Sequence, residues 1–531
     1  MAIPDIYTEG LASGWKVIDA STLTAPQTLE ADVAIIGSGA GGGAAAEILS
    51  LAGLNVLLLE EGPLKTSDSF KDMNEARAYR ELYQESGARA TSDGAIAVLQ
   101  GRSVGGSTTV NWTSSFRTPE PTLKFWAAER EVVGHGVDEM KPWFEKMEER
   151  LGVAPWAVPP NANNAVLRRG CDKLGWEAHV IPRNVKGCWN TGYCGFGCPV
   201  NAKQSMLVST IPVALQHGAT LVHRVRVQQL QHADGKITGA VGDALRSDGL
   251  AASGITLTIR AKHFIAAGGA INTPALLLRS QLPDPNAVLG KRTLIHPVVL
   301  TIAVMPEPVD AFYGAPQSIA SDFFQWKDGA AGPMGYKLEV PPMFPGIASG
   351  VLNSFGEALQ NEMAALPHTN AVLALLRDGF VPQSEGGSVR IAADGGAILD
   401  YDLSDYVWDG VRRAYLSMAE LQFAAGAKRV RAAHLDSTYY TSWDEAKKAI
   451  PELPLKKFRA TLFTAHLMGG CAMSENAKRG VVNSRGRHHQ LANLSVMDGS
   501  VFPTSIGANP QLSIYGLTAQ NASALVKELG R

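Results

Sequence analysis

The stretch ADVAIIGSGAGGGAAAEILSLAGLNVLLLEEG runs from Ala31 to Gly62 and reads as one strand–turn–helix–strand unit. A buried apolar strand (Val33 to Ile36) enters Gly37-Ser-Gly39-Ala-Gly-Gly42. An alanine-rich helix follows, then a second apolar strand (Val56 to Leu59) closed by Glu60. Gly37 permits a tight turn, Gly39 lets the backbone approach a pyrophosphate, and Gly42 allows the helix to pack closely on the strand. The helix N-terminus faces the phosphates, and a carboxylate at the end of the second strand can bind a ribose diol. Glycines alone are common in turns, but here strand, glycines, helix, strand and acid occur in order. Glu60 stands eighteen residues after Gly42, the context that an ADP-containing dinucleotide site requires. That acid argues against a 2′-phosphate, and so against NADP.

Working outward, 531 residues are too many for one simple core, and two packed domains are expected. Hydrophobic content of 45% and charged content of 18% fit a globular enzyme with a large interior. A net charge of −2 gives no reason to expect a nucleic-acid partner. No segment approaches the roughly 20 apolar residues of a membrane span. The start, MAIPDIYTEGLASGWKV, has no basic stretch followed by an apolar run, so the cytoplasm is the expected compartment. Export alongside a signal-bearing partner and peripheral membrane contact stay open. Five cysteines, three of them clustered, do not look like a secreted disulfide framework.

No repeat or low-complexity tract appears. The first 30 residues form an entry arm, and Thr66 to Ala97 is charged and irregular, suited to covering a cofactor. The run Gly101-Arg-Ser-Val-Gly-Gly106-Ser107-Thr-Thr-Val-Asn111 starts too rich in glycine for a regular element. Phe125 to Leu151 reads as one helix, and Asp405 to Ala425 as another. Ala219 to Ala267 alternates as strands around the turn Ala233-Asp-Gly-Lys236 and runs into a second glycine turn and helix at Gly268. Nucleotide-type segments at both ends and in the middle imply a discontinuous cofactor domain with a substrate domain inserted.

Near the C-terminus stands Thr464-Ala-His466-Leu-Met-Gly-Gly-Cys471, and Asn509 follows within VMDGSVFPTSIGANP, Val496 to Pro510. The Gly37 fingerprint, GRSVGGST, GGAINTPALLL, HLMGGC and this tail resemble, in the same order, the glucose–methanol–choline oxidoreductases. The resemblance covers nearly the whole chain. CGFGCPVNAKQS (Cys194 to Ser205) and Ile295-His296-Pro297-Val298 are similar to the long-chain alcohol oxidase branch, and the His466/Asn509 pair to cholesterol oxidase.

The resemblance implies an α/β chain. Its Rossmann-like FAD-binding domain would be built from 1–125, 186–300 and 460–531. Its α+β substrate domain, an antiparallel sheet flanked by helices, would use 126–185 and 301–459. Alcohol oxidation by a flavin moves a hydride to N5, and the hydroxyl proton needs a base. His466, with an ordinary pKa of about 6.5, can take that proton, and Asn509 can position the same oxygen. Gly101, Gly106, Ser107 and Asn111 are expected along the isoalloxazine and pyrophosphate path. Asp498 and Gly499 are expected at the ribityl–pyrophosphate region, and Pro510 near the ring. His296 is assigned a structural role near the domain junction.

Cys188, Cys194 and Cys198 lie in a glycine-rich loop followed by proline, a pattern suited to iron–sulfur ligation. Zinc would need a fourth ligand, and no histidine is near. The spacing is similar to the catalytic subunits of bacterial FAD-dependent glucose dehydrogenases, which implies a [3Fe–4S] cluster passing electrons to a cytochrome partner. A disulfide or free thiols are the other reading of the same loop. Cys171 and Cys471 read as small buried hydrophobes.

The expected activity is FAD-dependent oxidation of an apolar primary or secondary alcohol. Phe323, Phe324, Met343, Phe344, Leu352 and Phe355 are expected around the substrate. The alternatives are a sugar or polyol dehydrogenase using the cluster, an NAD-linked dehydrogenase, a non-redox lyase retaining FAD, and a non-catalytic scaffold.

Overall fold

The computed structural model describes residues 3–531. The fingerprint strand is longer than its apolar run: Gln27–Ile36 enters from solvent and is fully covered from Val33 to Ile35. It lies parallel to Val56–Glu60, with Val33 opposite Val56 and Ile36 opposite Leu59. On its other side it lies parallel to Ala252–Ala266. Continuous apolar runs are what strands buried on both faces require.

The whole sheet has eight strands. Their order is Lys16–Asp19, Thr220–His223, Val56–Glu60, Gln27–Ile36, Ala252–Ala266, Lys236–Leu245 and Val225–Ala233, with Leu494–Val496 also paired to Ala252–Ala266. The last two strands of the path form the hairpin expected at Asp234-Gly235, where both residues take positive φ (48° and 71°), as a two-residue turn demands.

The crossover helix Ala40–Leu51 buries Ala44, Ala45 and Ala46 almost completely. Small side chains bring its axis close to the strands, and at Gly42 no side chain at all is tolerated. A Cβ there would stand 1.8 Å from the Gly37 carbonyl oxygen. Gly37 itself has φ +104°, a turn that only glycine makes without strain. Across this helix pack the C-terminal helix Gln511–Glu528 and the short helix Thr210–Gln216.

A second eight-stranded sheet runs Ile96–Val98, Leu462–Thr464, Val298–Val304, Thr369–Leu376, Tyr336–Glu339, Ile319–Ser321 and His179–Val180, with Arg429–Ala432 also paired to Val298–Val304. It is antiparallel except where Leu462–Thr464 meets Ile96–Val98. Helices Asp405–Ala424 and Ala162–Leu174 pack together on one face. The Rossmann-like sheet and this mixed α+β layer match the fold class read from the sequence.

The single helix expected from Phe125 to Leu151 is two, Glu120–Glu129 and Val137–Leu151. Between them Glu131 and Gly134 take positive φ, 53° and 75°, which no α-helix accommodates. Apolar spacing on both sides concealed the break. Among the described residues no helix is long and apolar enough to cross a membrane.

Gly42→Ala is expected to lower thermal stability by about 1–3 kcal/mol through overpacking against Gly37. Gly350→Ala, where a Cβ meets nothing within 4 Å, should not lower it. Melting of the two variants against the parent checks this.

Candidate active site

A cavity of about 650 Å³ lies between the two sheets. Gly37, Gly39 and Glu60 of the fingerprint line it, as do Gly101, Gly106, Ser107 and Asn111 of the second glycine segment. Asp498, Gly499, Asn509 and Pro510 of the tail line it too, together with His466. Gly42 stands behind this wall, in its packing role.

Local hydrogen bonds explain why these segments meet. The Glu60 carboxylate accepts from the Ser38 amide (3.1 Å) and hydroxyl (2.6 Å) and from the Gly62 amide (2.8 Å). Burial raises its pKa, and those donors counter the rise. Ser38 Oγ accepts in turn from the Gly105 amide at 3.0 Å, tying the fingerprint to the second glycine segment. There Gly39 and Gly106 meet backbone to backbone, because a Cβ on Gly106 would lie 2.7 Å from Gly39 Cα. Ser107 Oγ accepts from the Gly101 amide at 2.9 Å. Asp498 accepts from the Gly269 amide (2.8 Å) and the Thr273 hydroxyl on one oxygen, and from Ser500 on the other. It thereby joins the tail to the helix Gly269–Arg279. These glycine edges and helix N-termini form a cradle suited to a dinucleotide's phosphates.

At the second sheet the wall turns apolar. Val298 pairs with both Phe463 and Leu375, and these three with Leu373 line the cavity beside His466 and Asn509. His466 is half-buried. Burial, helped by the Lys337 ammonium, brings its pKa down to about 4, so its imidazole is neutral at neutral pH. Its Nδ1 lies 3.2 Å from Nδ1 of His296.

Asn509 donates from Nδ2 to the buried Glu339 carboxylate at 3.2 Å. Gln317 Nε2 donates to the same oxygen at 2.6 Å. Burial pushes the Glu339 carboxyl up to about 7. Among the described residues Asn509 Oδ1 and Glu339 Oε1 have no partner.

Three residues at this end carried no motif. Gln511 accepts from Asn111 Nδ2 (2.7 Å) and donates to the Ser114 carbonyl (2.8 Å), fixing the loop at the cavity's head. Gln317 and Glu339 come from separate strands and meet Asn509 only in the folded chain. His296, expected to be structural, touches the ring of His466. The aromatic residues expected at the substrate are elsewhere. Phe323 and Phe324 pack on Trp176, Phe344 on Phe196, and Phe355 is 87% exposed. The cavity's apolar wall is instead Val298, Leu373, Leu375 and Phe463 on strands of the second sheet, which composition alone did not distinguish from that sheet's core.

Cys188, Cys194 and Cys198 line a separate cavity of only about 20 Å³, room for about one water. All three are free thiols. Among the described residues no group of three or more His, Cys, Asp or Glu is arranged to hold a metal ion. The [3Fe–4S] cluster their spacing suggested finds no support in this arrangement. Buried Lys203, its pKa lowered to about 8 by burial, fills the adjoining space and donates to the carbonyls of Thr109, Asn111 and Cys194.

A nucleotide cradle opening onto a neutral imidazole and an apolar wall defines a flavoprotein oxidoreductase. GMC oxidoreductase family models match residues 79–298 and 382–518, and the chain belongs to that family, whose members bind FAD and act on CH–OH groups. It is 30% identical over 509 residues to an uncharacterized GMC-type oxidoreductase of Mycobacterium tuberculosis, covering 95% of this chain and 77% of that one. It is 28% identical over 521 residues to a long-chain-alcohol oxidase of Arabidopsis thaliana, covering 94% of this chain and 68% of that one. Pyridoxine 4-oxidase from Mesorbium loti shares the fold with a TM-score of 0.69 at 18% identity, covering 93% of this chain and 98% of that one.

Glu339 supplies a test of this electrostatic setting. Its folded pKa of about 7 lies above its ordinary 4.5, so the folded protein binds more protons than the unfolded one between those values. Stability therefore falls as pH rises through that window. Glu339→Gln removes the group, and its stability relative to the parent should rise by on the order of 2–3 kcal/mol between pH 5 and pH 8 in paired denaturant titrations.

Proposed function

We propose that the chain oxidises an apolar primary or secondary alcohol to an aldehyde or ketone. In this reading residues 1–125, 186–300 and 460–531 hold FAD, 126–185 with 301–459 form most of the substrate side, and Val298 and Phe463 join that side through the second sheet. Bound FAD supplies the acceptor for the carbinol hydride. His466, neutral at working pH and with Nδ1 turned to His296, takes the hydroxyl proton at Nε2. Asn509 is held at one end by Glu339 and offers its remaining polar groups to the alcohol oxygen. The apolar wall of Val298, Leu373, Leu375 and Phe463 receives the substrate's carbon chain and keeps water from the base.

The observation that carries this reading is that His466 and Asn509 line the same cavity as four apolar side chains. The likeness to long-chain-alcohol oxidases supports an apolar chain on the substrate.

Anaerobic mixing of the flavin-loaded protein with alcohols tests it. Aliphatic alcohols are expected to bleach the flavin, with half-saturation falling as the chain lengthens. Faster bleaching by glucose or a polyol would overturn the apolar assignment, and no bleaching by any alcohol would point to a lyase. His466→Ala should retain flavin absorbance and lose about 10²–10⁴-fold in reduction rate. Leu373→Asn should weaken a long-chain alcohol about tenfold or more while changing a two-carbon alcohol little, because each buried CH₂ is worth about 0.8 kcal/mol.

A further inference from the structure

His296 is held in an unusual way. It takes φ +50° immediately before Pro297, a left-handed conformation that a branched ring side chain adopts only under constraint. The constraint is Asp378, whose fully buried carboxylate accepts the amides of Ile295 (3.0 Å) and His296 (3.2 Å) and the Tyr401 hydroxyl (2.8 Å). Thr464 completes the clamp by donating to the Ile295 carbonyl and accepting from the His466 amide. The result is two imidazoles meeting at Nδ1···Nδ1 3.2 Å, with His296 Nε2 buried and without a partner among the described residues.

Two facing ring nitrogens need one proton between them. If His296 supplied it, a neutral His466 would carry its own proton on Nε2 and could accept nothing from a substrate. We infer that His296 is a positioning residue: its unprotonated Nδ1 accepts from His466 Nδ1–H and so fixes the tautomer that leaves His466 Nε2 free as base. The inference rests on His466 being the base.

When the substrate hydroxyl proton moves to His466 Nε2, the O–H bond breaks and an N–H bond forms. His466 becomes an imidazolium whose Nδ1–H still donates to neutral His296, now as a charge-assisted bond, and no second proton moves. The cations acting on the pair are Lys337 and Arg377, and both disfavour a charge on His296. Glu339, on the strand that carries Lys337, has one carboxyl oxygen without a partner among the described residues, and Asp378 faces the His296 backbone.

Three variants of the flavin-loaded protein test this. His296→Ala should keep its flavin and lose about 10²-fold or more in anaerobic flavin reduction by alcohol. His296→Asn, which tolerates the left-handed backbone and can place an acceptor oxygen near the lost Nδ1, should recover at least tenfold of that loss. Nitrogen NMR of ¹⁵N-histidine protein, with His466→Ala assigning the signal, should show His466 protonated at Nδ1 in the parent. A parent His466 protonated at Nε2 would overturn the inference, as would equal rates for parent and His296→Ala with flavin bound. If His466→Ala itself reduces flavin at the parent rate, the proposed base falls as well. If only the His296 results fail, the base stands and this inference alone falls.

Discussion

Asp378 lies fully buried at the point where the two walls of the cavity are joined. Its carboxylate holds the amides of Ile295 and His296, and its backbone carbonyl accepts from Ser505, by amide at 3.2 Å and hydroxyl at 2.7 Å. Ser505 belongs to the tail that leads to Asn509. One residue thus fixes both the loop behind His466 and the segment that delivers Asn509. A buried carboxylate is costly, and burial raises its pKa. The amides of Ile295 and His296 and the Tyr401 hydroxyl are the donors that keep the carboxylate satisfied there.

The same low-dielectric setting governs the groups that face the cavity. Burial favours neutral imidazole at His466 and neutral carboxyl at Glu339, while Lys337 bonds to Asp322 at 2.8 Å and lies over the Phe116 ring. A base must be unprotonated before substrate arrives, and desolvation achieves this without a carboxylate partner. The neighbour His466 does have is another neutral ring, which orients the imidazole without raising its proton affinity as an acid group would. That combination suits a base that must also give its proton up.

Much of this was legible in the sequence, because some constraints are local. The Gly37–Gly42 turn, Glu60, the second glycine segment and the tail are each dictated by backbone approach, and backbone approach writes itself as glycine. His466 and Asn509 were legible through their motif context. His296, Glu339, Gln317 and Gln511 were not, because their roles arise only when separate strands and loops pair. Glu339 sits in Tyr336-Lys-Leu-Glu339, where a polar pair on a strand ordinarily reads as a solvent face. Both residues are buried, since the strand lies inside a sheet covered on two sides. The three cysteines failed in the opposite direction. Their spacing suggested a cluster, but among the described residues no group of three or more such ligands is arranged to hold a metal ion.

Within the second sheet a single register holds the apolar wall. Phe463 lies opposite Val298, and Val298 opposite Leu375, so the strand carrying Thr464 toward His466 is fixed against the strand that follows His296. A slip of one residue in that pairing would turn Val298, Leu375 and Phe463 away from the cavity and part the two imidazoles at once. The tail carrying Asn509 comes instead from the first sheet, through Leu494–Val496 and Asp498. His466 and Asn509 therefore arrive on separate frameworks, one anchored to the second sheet and the other to the nucleotide cradle. In the proposed reading the substrate spans both, with its hydroxyl at the seam and its carbon chain along the apolar strands.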